Sequence, residues 1–260
     1  MNKMKEKVVS LLNMNLNPTV LGFQDDGLFY LFDALLQGKQ PSNGYDPTFT
    51  FVHLTINSTT VITDDSIEEE LNKVLRLDEY PGDTIMETIL NDIEVVCVVD
   101  NLAFVEDPTK FILISDNLIK KYRDRLKFVY VIEDPRLIES VKSKLPASSA
   151  IFDAIIYQEI GNYWDANSIY NYLKPDFKKE LSEEQLNSIS AKSGNHFGTF
   201  KRLYKDTVLE MDTTERYIQL LTENFSTVEL NALRKVARQE DLNSDETLAL
   251  QPYVAVSLVK

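Results

Sequence analysis

A chain of 260 residues with 41 acidic against 27 basic side chains carries a formal charge of −14, which disfavours non-specific attraction to a phosphate backbone or an anionic membrane. One cysteine, Cys97, excludes a disulfide framework and a multi-cysteine zinc site, and two histidines, His53 and His196, leave little for histidine-based metal or nucleophilic chemistry. No apolar run approaches the ~20 residues of a membrane span and the opening MNKMKEKVVSLL lacks a secretion signal, so a cytoplasmic chain without a membrane partner is expected.

Short apolar runs alternate with longer amphipathic stretches along the first 160 residues. The runs at Thr19–Gly22, Phe49–Ile56, Glu94–Asp100, Lys127–Glu133 and Ala154–Tyr157 are predicted strands. Those starting at 94 and 127 are near-continuous Val, Ile and Tyr, the pattern of strands covered on both faces of a parallel sheet. Between them, helices are predicted at Phe29–Leu36, Ser66–Leu75, Thr84–Leu90, Phe111–Arg125 and Arg136–Lys144, the second opened by a capping box, Ser66-x-x-Glu69. Strand–helix alternation of this kind implies an α/β sheet with right-handed crossovers.

Beyond residue 160 the strand signal stops. Helices are predicted at Trp164–Leu173, Glu183–Lys192, Gly198–Val208, Glu215–Asn224, Val228–Arg238 and Asp245–Val256. Capping boxes Ser182-x-x-Gln185, Ser226-x-x-Glu229 and Asn243-x-x-Glu246 open three of them, and Pro252 is expected to interrupt the last. Three segments follow: an α/β domain over 1–160, a small helical domain over 161–212 and a helical tail over 213–260.

The first predicted strand ends in Leu21-Gly22-Phe23-Gln24-Asp25-Asp26-Gly27-Leu28-Phe29 and runs into a helix. Two glycines five apart at such a turn are the frame of a phosphate-binding loop, G-x-x-x-x-G-K-[ST]. There the glycines let the backbone approach phosphates, the Lys reaches the β/γ oxygens and the hydroxyl holds Mg²⁺. Here Leu28 stands at the Lys position and Phe29 at the hydroxyl position, and Asp25 and Asp26 add negative charge where an anion would sit. The third strand closes on Val99-Asp100-Asn101, which matches a Walker B strand at its Asp; Asn101, an amide, cannot be a general base. A buried strand ending in a polar turn accounts for the same residues.

With these residues in hand, the chain resembles the AAA+/STAND superfamily of P-loop ATPases, in its archaeal-type ATPase and Orc/Cdc6-like branches. Phe152–Leu173 resembles the passage from the last strand into the lid helices, and Leu181–Leu186 and Ala191–Gly198 resemble the lid, with Ser193-Gly194-Asn195 at the start of the sensor-2 helix. The resemblance spans roughly residues 15–210 and implies a five-stranded parallel sheet with the first strand central, followed by a helical lid. It also implies a degenerate nucleotide site at Gly22, Gly27, Asp100 and Asn101, with Lys201 or Arg202 in the sensor-2 register; two solvated helix charges are the plainer account of that pair. The departures at Leu28, Phe29 and Asn101 remove phosphate clamping, Mg²⁺ anchoring and water activation, on which phosphoryl transfer depends. No catalytic residue and no cofactor is therefore expected, beyond weak nucleotide or Mg²⁺ binding.

Three functions fit: a pseudo-ATPase acting as scaffold or regulatory subunit in a DNA replication or mobile-element assembly, a clamp-loader δ-like subunit, or a metal-dependent enzyme. The last would use Asp25, Asp26, Asp100, Glu133 and Asp134, all predicted just beyond strand carboxyl ends, where open α/β sheets bind ligands. Solvated acids or a dock for a basic protein explain the same five. His53 is expected to be a hydrogen-bonded core residue, His196 a local cap, Cys97 a small hydrophobe, and Trp164 with Tyr163, Tyr170 and Tyr172 a lid core. The tail resembles a truncated winged helix, with Phe225–Arg238 as its first helix and Leu258–Lys260 leading into the wing. Its basic residues Arg216, Arg234, Lys235, Arg238 and Lys260 are outnumbered by acids, so a protein partner is expected and DNA only indirectly, through a partner.

Overall fold

A computed structural model describes residues 2–32, 49–55, 63–74, 94–100, 102–122, 125–157 and 164–254. They fall into two compact units, one of Met1–Leu21 and Leu28–Ile156, the other of Gly22–Gly27 and Tyr157–Lys260.

The first unit holds five parallel strands, β1 (Pro18–Leu21), β2 (Phe49–His53), β3 (Glu94–Val99), β4 (Leu126–Ile132) and β5 (Ala154–Tyr157), in the order β2-β3-β4-β1-β5. In register, Cys97 lies between Val52 and Phe128, and Val20 beside Val131. All seven residues of β4 are buried, as are Val95–Val99 of β3, because helices cover both faces of the sheet. The helices are α1 (Asn2–Asn13), α2 (Asp64–Val74), α3 (Pro108–Tyr122) and α4 (Arg136–Lys142). Helix α3 turns Phe111, Ile112, Ile114, Ser115 and Leu118 inward, and the Phe111 ring meets Phe128 edge-on at 6.5 Å.

At the amino end of the sheet a polar set replaces apolar packing. Asn17 Nδ2 donates to Asp153 Oδ2 at 2.8 Å while its Oδ1 accepts from Phe128 N at 2.9 Å, and Asp116 Oδ1 accepts from Ala150 N at 2.9 Å. Burial, chiefly, raises the Asp116 pKa, against the hydrogen bond from Ala150 N.

Two local expectations are corrected. Helix α2 begins at Asp64, two residues before Ser66: Ser66 N donates to Thr63 Oγ1 at 3.1 Å and Thr63 N to Ser66 Oγ at 2.9 Å, so Thr63 is the cap and Ser66 its reciprocal partner. Strand β1 is interior, but β4 is the middle strand, since β2, β3 and β4 all lie on one side of β1. The predicted helix Thr84–Leu90, the end of Phe29–Leu36, Asn101, Tyr163 and Leu258–Lys260 lie outside the described residues. Of Phe29–Leu36, Phe29–Leu31 form one 3₁₀ turn.

The second unit is helical: α5 (Ala166–Phe177), α6 (Glu183–Ser193), α7 (Phe197–Leu209), α8 (Thr214–Glu223), α9 (Thr227–Ala237) and α10 (Ser244–Val254). All three expected capping boxes form, each with a side chain accepting from its partner's backbone N–H and the partner reaching back. Helix α6 ends at Gly194 in the left-handed conformation, φ +58°. Helix α10 runs through Pro252 to Val254, so the proline removes one donor near the carboxyl end without breaking the helix there. Trp164, Tyr172 and Phe197 form one aromatic core, and Tyr170, Phe177 and Tyr204 a second. No helix among the described residues is long and apolar enough to cross a membrane.

Candidate functional site

The segment with the phosphate-loop frame, Gly22–Gly27, packs as part of the helical unit, and three successive carbonyls fasten it there. Gln24 O accepts from His196 Nε2 at 2.9 Å, Asp25 O from Gly198 N at 2.9 Å, and Asp26 O from Trp164 Nε1 at 3.0 Å. Side chains add to this. The Tyr217 hydroxyl donates to Asp25 Oδ2, Asn224 Nδ2 donates to Gln24 Oε1 at 3.1 Å, and the Phe23 ring packs between those of His196 and Phe225 at about 6 Å from each.

Local conformation explains why two of these positions take the residues they do. Gly27 has φ +74°, and a Cβ there would come within 2.8 Å of Phe197 Cγ. Gly198, in the first turn of α7, has no Cβ because one would overlap both the Tyr217 hydroxyl and the Asp25 carboxylate. Asp25 itself is left-handed, φ +59°, a conformation Asp tolerates better than most residues.

His196 is the cap of α7, as expected from sequence, and more. Its Nδ1 accepts from Thr199 N, which can only donate, so the proton sits on Nε2 and is given to Gln24 O. Burial holds its pKa below the ordinary 6.5, against the Gln24 hydrogen bond and the nearby Asp25 charge. The ring is thus neutral at pH 7 and joins the start of α7 to the loop.

Arg202 is half-buried, its guanidinium carbon 5.1 Å from the centre of the Tyr217 ring, while Lys201 is exposed. Arg202 is therefore engaged with the residue that holds Asp25. In the tail, Lys235 pairs with Glu246 at 2.8 Å and Arg238 lies 3.9 Å from Glu240, so two of the basic residues face acids of their own helix pair.

In the first unit the sheet's carboxyl edge brings together Phe29, His53 and Asp100. His53 Nε2 lies 2.9 Å from Asp100 Oδ1, with the Phe29 ring 4.4 Å from the imidazole, centre to centre. The expectation of a core histidine is corrected: His53 is hydrogen-bonded, but at the end of β2 its side chain is 35% exposed. Leu28 is wholly buried. Asp134 accepts from Arg136 Nε and a terminal guanidinium nitrogen at 2.8–3.2 Å. Among the described residues no group of three or more His, Cys, Asp or Glu side chains is placed to hold a metal ion. Cys97 is buried in β3, its thiol pushed up by desolvation.

Sequence reasoning missed Tyr217, Gly198 and Trp164 as partners of the loop. The one available signal was Gly198, a glycine in a helical first turn where a better helix former would otherwise serve.

No family model matches the sequence, and no curated protein does. Among solved structures, a Walker-type ATPase of Pyrococcus abyssi is similar at a TM-score of 0.50 and 10% identity, over 98% of this chain and 89% of that one. A RuvB variant of Thermotoga maritima gives 0.47 and 12%, over 96% and 81%. AMPPCP-bound DnaA of Aquifex aeolicus gives 0.46 and 14%, over 98% and 77%. The likeness is one of fold: a five-stranded parallel P-loop α/β sheet flanked by helices, with a helical carboxyl-terminal region.

Proposed function

We propose that this chain is a non-hydrolysing AAA+-like protein, a pseudo-ATPase that serves as a scaffold or regulatory subunit. The observation that carries this reading is the loop Gly22–Gly27, whose Gln24, Asp25 and Asp26 carbonyls are bonded to His196, Gly198 and Trp164. A loop that works on nucleotide must turn its backbone N–H groups to phosphate; here the three carbonyl bonds fix the loop on the helical unit and Asp26 N is given to Phe23 O at 3.2 Å, and phosphoryl transfer is almost wholly positioning and charge stabilisation. This one carries a carboxylate at Asp25 and is followed by a buried leucine where a cation would be needed. In the first unit, Asp100 is paired with His53, and Phe29 covers that imidazole in place of a metal-binding hydroxyl.

In this role the chain contributes surface to a protein assembly, of the replication or mobile-element kind that the family resemblance implies, and reaches DNA through a partner. The net charge of −14 supports a protein partner over direct phosphate contact. The test is equilibrium binding of a fluorescent ATP analogue with and without Mg²⁺, beside an Asp100→Ala variant. Absence of binding up to millimolar ligand is expected. Micromolar binding that disappears in Asp100→Ala would make the protein a nucleotide sensor and overturn the reading.

A further inference from the structure

The geometry points to an autoinhibitory latch: the Asp25–Tyr217 hydrogen bond, seated over Gly198, holds the Gly22–Gly27 loop against the helical unit and keeps it from any phosphate-bearing ligand. This deepens the pseudo-ATPase reading, on which it rests for the identity of the loop, by naming what keeps that loop closed. Three observations support it independently of the loop's sequence frame. The Tyr217 hydroxyl comes from α8, 192 residues from Asp25 in sequence, on a residue that is only 8% exposed. Gly198 leaves the space in which hydroxyl and carboxylate meet, a space any other side chain would fill. Asp25 holds the left-handed conformation while accepting that bond, so backbone and side chain are fixed by the same contact. Arg202 over the Tyr217 ring fixes the donor in turn.

A hydrogen bond to a charged acceptor is individually strong, so its removal loosens the loop toward opening while the carbonyl bonds to His196, Gly198 and Trp164 remain. Tyr217→Phe removes only the hydroxyl and keeps the ring and its Arg202 contact. Asp25→Asn keeps the left-handed tolerance and removes the charge, and Asp25→Gly removes charge and backbone strain together. Hydrogen exchange on the full chain reads the latch directly. In Tyr217→Phe and Asp25→Asn, amides of Phe23–Gly27 exchange roughly ten- to a hundredfold faster, while those of α7 and α8 keep their rates. Trp164 emission, from the chain's single tryptophan, confirms that the unit stays folded. Inorganic tripolyphosphate is the ligand probe: Asp25→Gly binds it at least about tenfold more tightly than the native chain, because a like charge has been removed from its path.

Unchanged loop exchange in both hydrogen-bond variants would overturn the latch and leave the pseudo-ATPase reading standing. Equal tripolyphosphate binding by native chain and Asp25→Gly would also overturn it. Micromolar nucleotide binding by the native chain would instead overturn the pseudo-ATPase reading, whatever the exchange rates.

Discussion

Gly198→Ala sets two effects of opposite sign against each other. Alanine is the better helix former by about 0.8–1 kcal/mol in a helix interior, and by less in the first turn, where Gly198 stands. By propensity alone the variant is stabilised. The added methyl, however, would occupy the point where the Tyr217 hydroxyl meets Asp25, and the backbone bond from Gly198 N to Asp25 O at 2.9 Å would have to shift with it. Losing a hydrogen bond to a charged group costs about 1.5–3 kcal/mol, and weakening a neutral one about 1 kcal/mol more. The steric effect therefore wins, and a net destabilisation of about 1.5–3 kcal/mol is expected. Denaturant unfolding followed by Trp164 emission measures it in the relevant unit. Gly194→Ala is the control: nothing lies within 4 Å of its Cβ, so it suffers only the left-handed penalty of about 1–2 kcal/mol. It also leaves loop exchange unchanged. A Gly198→Ala protein as stable as the native chain, or more so, would refute the reasoning, because no overlap would then exist to offset the gain in propensity.

Acidification tests His196. Its folded pKa lies below the unfolded 6.5, so the unfolded chain binds the proton more tightly and stability falls as pH drops from about 6.5 through the folded value. His196→Asn keeps a capping side chain and should flatten that slope in a pH series of Trp164 unfolding curves. Asp206 is opposed by its own burial, yet Thr213 and Thr214 donate to it through both backbone N–H groups and both hydroxyls at 2.6–2.9 Å, lowering its pKa below 3.8. Its contribution is present above that value and lost as pH falls through the folded pKa; Asp206→Ala should cost about 2 kcal/mol at pH 7 and remove that part of the acid limb. Leu28→Lys with Phe29→Thr, which restores the loop's consensus, should fail to restore nucleotide binding and should destabilise the sheet unit by on the order of 4 kcal/mol, because it buries an ammonium where Leu28 is wholly enclosed. Scanning calorimetry beside the ATP-analogue titration checks it; an unchanged transition with new micromolar binding would contradict it.

The strands were legible because burial on both faces leaves β3 and β4 almost wholly apolar, Glu94 and Lys127 excepted, and those two pair with each other at 3.1 Å. Five of the second unit's described helices were legible because their caps are local, closed by residues three apart; α8 has no side-chain cap of its own. The start of α2 was misplaced because Ser66-x-x-Glu69 fits the capping-box pattern whereas Thr63-x-x-Ser66, with serine where Glu or Gln is usual, does not, although Thr63 and Ser66 make the reciprocal bonds. His53 reads as core because its neighbours are apolar, but it stands at the strand's end, where the pairing to Asp100 becomes available. The missing cation and hydroxyl at Leu28 and Phe29 could be read directly. What the loop does instead could not, because Trp164, His196, Tyr217 and Asn224 lie 138, 172, 192 and 200 residues from the groups they bond. No periodicity or spacing rule reaches that far.

Those separations have a consequence for the order in which the protein comes together during synthesis. The chain is made from its amino end, so Gln24, Asp25 and Asp26 exist long before any of their partners. Helix α7 has its own cap at His196, and α8 takes its start from Asp206 of α7, which accepts from Thr213 N and Thr214 N, whereas the loop must wait for both. Until α8 has been produced, the Asp25 carboxylate has no Tyr217 hydroxyl to accept from. A nascent chain halted short of α8 would carry an early segment complete in sequence and still without its settled shape.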